Sequence, residues 1–480
     1  MLKKYIILCF VLSCNATFIK AQQYGLFNTK TMFDGFENPA QKTFVLDSSR
    51  KFSSNFFLPY FGINAANKGN SDFIRKIINE GKYNATDLKL GTGDINTVHQ
   101  NTNIYVLTLR IFKSYKYQKE IGFAWQIRSD AHLDYTNETL AILDNYKRFL
   151  GYQNQDFTNA FNNNGYEQSY HQFSFSYREN YNKRLAFGAK LSLLSGIAYN
   201  KLSIVESNFN PGSSTQPLVA SLSGTYKASF LDADDFSSKD VIPTFKNPGL
   251  SVSVGTSYTA KSGVFIMANL KDLGFIRWAS SSYYNKFNNL NDPLIIDDPE
   301  MNASSIDKKI SSIATDNETN KSFLTPTNAK VDFMVSKAFA ISYPLTYTPS
   351  LIASKNLFYK GGDVAFVNKI KYGELSLSVI PAYNLNNLFL VGMQGMYQTP
   401  NFEVFLGSDN LLKTVTQING VIKQDRTIGT GYNGASFYMG LGIKFGDIVN
   451  HPQNSSTMPG IDDKESSFFK RLFSVFSKKR

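Results

Sequence analysis

The chain has 480 residues, a formal net charge of +12 and an aromatic fraction of 14%, with 40 Phe and 27 Tyr. A mean hydropathy of -0.24, with no internal apolar run of about 18 residues, excludes helical membrane spans after the N-terminus. It does not exclude a barrel, in which half of each strand is polar. The basic residues are dispersed, which argues against nucleic acid and suits contact with anionic lipid head groups.

Residues 1–21 read as an export signal. Lys3 and Lys4 lead, Tyr5 to Leu12 form a short apolar core, and Ala21 precedes a plausible cleavage point. A lipoprotein signal ending at Cys14 is the alternative, and Leu12 fits it poorly. Both cysteines, Cys9 and Cys14, fall in this segment, so the processed chain is expected to have no disulfide and no thiol chemistry. Residues 22–47 lack a strand period yet hold Phe27, Phe33, Phe36 and Phe44. With Pro39 forcing Asn38 out of the helical region, they are expected to form a compact irregular plug.

Period-two alternation then recurs. Lys51–Ile63 and Ile104–Ile111 come first. Ile121, Phe123, Trp125 and Ile127 alternate with Gly122, Ala124, Gln126 and Arg128. His171–Tyr177, Leu185–Leu193, Leu218–Phe230, Leu250–Tyr258, Val264–Trp278, Lys330–Phe339, Thr346–Ser354, Val364–Lys371, Glu374–Tyr383, Phe389–Tyr397 and Phe402–Leu406 follow. The last strand sets Phe437, Met439, Leu441, Ile443 and Phe445 against Ser436, Tyr438, Gly440, Gly442 and Lys444. The minor face is rich in Gly and Ser, which suits a crowded barrel interior with the apolar face turned to lipid. Connections fall into two lengths, short ones such as 114–119 and 179–184 and long ones such as 64–102, 131–167 and 279–325, as the two ends of such a barrel require. The long ones are expected to hold helices at 71–81 and 137–149.

After Phe445 the alternation stops. Residues 447–463 read as a linker. Residues 464–480 read as a basic amphipathic helix with Phe468, Phe469, Leu472, Phe473 and Phe476 on one side. Lys470, Arg471, Lys478, Lys479 and Arg480 accompany them, a set suited to docking on lipid or on a periplasmic protein. Folding back on the barrel mouth, or disorder, is the alternative.

No catalytic motif emerges. His99, His132, His171 and His451 are far apart in sequence and sit in no metal spacing. His171 reads as an interfacial residue, and Trp125 and Trp278 as an aromatic girdle. The acidic groups at 232–235 and 297–300 match no metal-loop motif and read as solvated. No enzyme activity, metal or cofactor is expected.

Three stretches carry a resemblance. Asn38-Pro39-Ala40 resembles the N-terminal hatch motif of the long-chain fatty acid transporter (FadL) barrels. Asn269 to Trp278, with Asp272, Leu273, Gly274, Phe275, Ile276 and Trp278, resembles a motif of outer-membrane barrels of unknown function that are similar to PorV, a shuttle of the type IX secretion system. Ser408-Asp409-Asn410-Leu411-Leu412 fits the same group. The resemblance implies that Asn38, Pro39 and Ala40 are hatch residues and that hydrophobic ligands leave sideways through the wall. The strand ending at Phe445 resembles the terminal signal by which such barrels are recognised for insertion, although 35 residues follow it.

The expected fold is all-β, a transmembrane antiparallel barrel of about fourteen strands over residues 48–446, in a Gram-negative outer membrane. Its leading function is a non-catalytic conduit or binder for small hydrophobic molecules. An accessory or scaffold barrel of an assembly or secretion complex is second, and an outer-membrane hydrolase last.

Overall fold

Antiparallel pairing of the alternating segments closes a wall in the computed structural model, which describes residues 24–69, 88–153, 155–213, 215–230, 241–297, 306–316, 319–384, 388–423, 433–451 and 467–477. The export segment, the helix expected at 71–81, most of the linker, most of both acidic groups and Lys478 to Arg480 lie outside the described residues.

Among the described residues, fourteen strands make the wall. They begin with β1, in two parts (Arg50–Ser54 and Tyr60–Lys68), then β2 (Ile95–Ser114), β3 (Lys119–Thr136), β4 (Asn164–Asn180), β5 (Leu185–Asn210), β6 (Pro248–Thr259) and β7 (Val264–Trp278). β8, also in two parts (Phe323–Pro326 and Lys330–Lys337), leads to β9 (Leu345–Asn356), β10 (Gly362–Tyr372), β11 (Leu375–Asn384), β12 (Leu388–Gln398), β13 (Phe402–Ser408) and β14 (Asn433–Ile448). β14 returns to β1 through Ile443↔Ser54 and Met439↔Phe61. Closure pairs the first strand with the last, so the wall has no open edge between them.

Side-chain parity gives the wall its two solvents. Phe175, Leu191, Val254, Phe333, Leu351 and Met439 are exposed on the outside, while Ser174, Ser192, Ser253 and Tyr438 are buried inside. Large apolar side chains bared in this number are explained by lipid, not water. The short turns, such as 115–118, 181–184 and 260–263, gather at one end, which is the periplasmic end by the rule of such barrels.

The structure departs from the alternation at the opposite end. Below Ser195, β5 pairs with β6, but beyond Gly196 it pairs with Leu218–Ala228, which pairs in turn with Tyr283–Asn288. Leu218–Phe230 is therefore not a wall strand. Its alternation comes from a sheet outside the wall whose inner face packs on the loop helices α2 (Asn137–Asp144) and α3 (Ile306–Thr315). β2 and β3 also run further than their apolar alternation, through Asn101, Asn103, Ser129 and Asp130, because ladder hydrogen bonds continue where neither face meets lipid.

Residues 24–47 lie inside the barrel. A short helix, α1 (Asp34–Glu37), sits among Met32, Phe33, Phe36 and Phe44, all fully buried. A helix α4 (Leu411–Lys423) follows β13, and on the outer wall, at the periplasmic end, rests α5 (Phe468–Ser477), its Phe469 buried on Tyr177 and Phe187.

Candidate functional site

The inner segment is seated by small wall residues. Asn38 Oδ1 accepts from Ala40 N at 2.9 Å and so folds Asn38-Pro39-Ala40 into a tight turn. That turn presses into a dent where Gly188 of β5 and Gly255 of β6 stand opposite each other. A Cβ added to Gly188 would lie 2.1 Å from the Pro39 carbonyl oxygen, and one on Gly255 2.2 Å from Asn38 Oδ1. Arg178 Nε then donates to Ala40 O at 3.0 Å, and Lys190 Nζ donates to Phe36 O at 3.0 Å.

A charged network ties the segment to the far wall. Glu37 accepts from Arg128 at 3.1 Å, Asn103 at 2.9 Å and Tyr105 at 2.5 Å, and is in contact with Lys271. Arg128 also pairs with Asp272 at 2.7 Å, and Asp272 takes Lys190 at 2.9 Å. Asp272 sits at φ 51, inside the register slip between Leu270 and Leu273, which turns its carboxylate into the lumen. A cavity of about 70 Å³ lies beside these groups and Asn328, whose buried amide has no hydrogen-bond partner among the described residues.

One place in the wall is interrupted at the level of this network. Between Ser54 and Tyr60 of β1, five residues face only three of β2 between Leu109 and Tyr105. Phe56 and Phe57 adopt φ 48 and 60, and Phe56, Phe57 and Leu58 project outward, at least half exposed. The buried Asn55 side chain fills the gap: its amide donates to Tyr105 O and Val106 O at 3.3 and 3.2 Å, and its Oδ1 accepts from Thr108 N at 2.7 Å. Directly behind lie Met32, whose sulfur accepts from Ser53 and Thr108 hydroxyls at 3.3 Å, and Phe33, tilted against Tyr60 and Tyr105 and edge-on to Phe405.

The residues singled out in the sequence fall in four places. Asn38, Pro39 and Ala40 sit in the lumen, on the glycine dent. Asp272 joins the network, Leu273 and Gly274 sit in the wall, Phe275 faces lipid, and Ile276 and Trp278 are fully buried. Trp278 is thus not part of an outward girdle: its indole donates to Thr325 Oγ1 at 2.8 Å and packs on Tyr199. His171 is 2% exposed, accepting from Trp125 at Nδ1 and bonding Val241 O through Nε2, so it pins a loop to the outer wall. Phe437, Met439, Leu441, Ile443 and Phe445 share the outward face of β14.

Of the tail residues, Phe468, Lys470, Arg471, Leu472 and Phe473 are exposed. The N-terminus of α5 is capped by Glu179 of β4, which accepts from Phe469 N at 2.7 Å and Ser467 Oγ at 2.6 Å. Lys470 lies over the rings of Tyr117 and Tyr181. Sequence patterning missed Glu37, Arg128, Lys190, Asn55 and the glycine pair. Arg128 and Lys190 were legible as inward positions, but nothing in their own stretches names the partners they meet.

A family model described as a family of unknown function (DUF5723) matches residues 46–409. No curated protein sequence matches the chain. Among solved structures, the fold is similar to a Pseudomonas aeruginosa FadL homologue, at 10% identity and TM-score 0.43, over 88% of this chain and 96% of that one. It is also similar to the Pseudomonas putida toluene transporter TodX, at 8% identity and TM-score 0.36, over 88% of this chain and 94% of that one. The translocator domain of the autotransporter NalP from Neisseria meningitidis follows at 5% identity and TM-score 0.27, over 83% and 90%. Such low scores leave these likenesses without functional weight.

Proposed function

The chain belongs to the DUF5723 family of unknown function, and we propose that it is an outer-membrane conduit or binder for small hydrophobic molecules, closed at rest by residues 24–47. The observation that carries this reading is the wall break at Asn55–Pro59 with Met32 and Phe33 seated directly behind it. The ladder between β1 and β2 is bridged here by the Asn55 side chain, with Phe56, Phe57 and Leu58 on the outer side and Met32 and Phe33 on the inner. Displacing Met32 and Phe33 opens a sideways path past Tyr60 and Tyr105, in keeping with the hatch that Asn38-Pro39-Ala40 resembles. Arg128 and Lys271 suit the polar end of an amphiphilic passenger. Shape and apolar lining do this work, and no catalytic residue is needed. Export through the signal at 1–21 delivers the chain to the outer membrane.

Glu37→Gln removes the charge that ties α1 to Arg128 and Lys271. Uptake of a small fluorescent hydrophobic probe by cells carrying this variant is expected to rise several-fold. Unchanged uptake, with the barrel folded, contradicts gating by this segment.

A second reading, an accessory or scaffold barrel, is favoured by α5, which is held on the outer wall yet leaves Phe468, Leu472 and Phe473 exposed. Its apolar side chains with Lys470 and Arg471 suit the periplasmic lipid surface or a protein. Deleting residues 464–480 separates the two. Loss of co-purifying proteins supports the scaffold, weaker membrane retention alone supports lipid docking, and no change in either removes both.

A further inference from the structure

Beneath residues 24–47, the periplasmic mouth of the barrel holds a cavity of about 400 Å³ whose charged lining is entirely basic. Lys30 and Lys42 come from its roof, Arg178 from β4, and Lys183 and Arg184 from the turn after β4. None of the five makes a salt bridge among the described residues. Arg178 is 4% exposed, and its guanidinium donates only to neutral acceptors: Ala40 O at 3.0 Å, Gln118 O at 2.9 Å and Asn180 Oδ1 at 2.8 Å. Glu120 acts on Lys42 but is already paired with Arg110 at 3.0 Å. Lys371 adds a further repulsive charge to Lys30.

Five cations line one concavity, one of them buried, and the counter-charge that acts on Lys42 and Arg178, Glu120, is already shared with Arg110. An arginine fork among lysines is the arrangement that recognises oxyanions. Leu185, Phe265 and Ala338 add an apolar patch to the same cavity, whose volume is that of a small-molecule site. We propose that this vestibule binds a small organic oxyanion, a carboxylate or phosphate ester with a short apolar portion. The site is fixed in the resting barrel and does not depend on movement of residues 24–47.

The test is titration calorimetry on the full chain in neutral detergent at low salt, with phenyl phosphate and benzoate as probes and phenol as the neutral comparator. Both anions are expected to bind, phenol not, and affinity to fall as salt is raised. Lys42→Gln/Arg184→Gln is expected to weaken binding at least about tenfold, roughly the loss of two charge-assisted contacts. Lys183→Gln/Arg184→Gln, changing only exposed turn residues, is expected to weaken it as well in a barrel that keeps its heat-modifiable gel mobility. Binding of phenol equal to that of the anions, anion binding unaltered in both variants, or no anion binding at low salt overturns the proposal. The same titration on a barrel whose inner segment is disulfide-tied to the wall is expected to give unchanged binding, so this proposal and the conduit reading fail separately.

Discussion

Asp272 holds more of the interior together than any neighbour its own stretch reveals. Its carboxylate takes Arg128, Lys190, Gln172 and Ser253, all from other strands. Breaking a buried pair from one side leaves the remaining charges uncompensated, so Asp272→Asn is expected to destabilise the barrel by about 3–5 kcal/mol, read as a lower temperature for loss of the folded gel band. The sequence marks Asp272 only through a family motif. Its partners come from strands whose register no single stretch specifies. Gly188 and Gly255 read equally well as ordinary small inward residues, yet they admit the Asn38-Pro39-Ala40 turn. Gly188→Ala is expected to unseat that turn and raise proteolysis within residues 24–47, with the wall intact.

Asp34 carries a pH dependence of its own. Burial pushes its carboxyl up to about 7, against the hydrogen bonds it accepts from Lys30 and Thr29 backbone. A folded-state value raised above the unfolded one of 3.8 means the stabilisation is complete below that value and is lost as pH rises through about 7. The inner segment is therefore expected to be better protected from hydrogen exchange at pH 5 than at pH 8. Asp34→Asn is expected to flatten that difference.

At the scale of elements, the helix and the break in β1 differ in how far they can be read. The helical wheel of residues 466–480 gives the existence of α5, because its spacing is local. It does not give the seat: Glu179 is 288 residues from Ser467. Nor does the wheel say that Phe469 is buried at 6% while Phe468 and Leu472 stay exposed at 48% and 41%. Glu179→Ala removes the cap and is expected to cost about 1 kcal/mol of helix docking, seen as faster exchange at the Phe468 and Phe469 amides. Lys51 to Ile63 reads as one aromatic strand. That it is two pieces around an extruded Phe56-Phe57-Leu58 depends on Asn55 finding main-chain groups of β2, which composition cannot announce.

For the whole molecule, the barrel was legible because lipid imposes period two on every strand that crosses it, with polar or small side chains inward. The same rule fails beyond the membrane, where Leu218–Ala228 alternates for a different reason and leaves the wall. What fills the barrel was less legible, since residues 24–47 have no period and are fixed by contacts with β1 to β7 and with β12 to β14.

The central claim is that this inner segment must move for a hydrophobic molecule to pass. A Cβ on Gly255 lies 3.2 Å from Asn38 Cγ, close to the reach of a disulfide, and both native cysteines lie in residues 1–21. In Asn38→Cys/Gly255→Cys, uptake of a small hydrophobic probe is expected to be lost on oxidation and restored by reductant. Equal uptake in the oxidised and reduced protein, with the disulfide shown to have formed, contradicts the account.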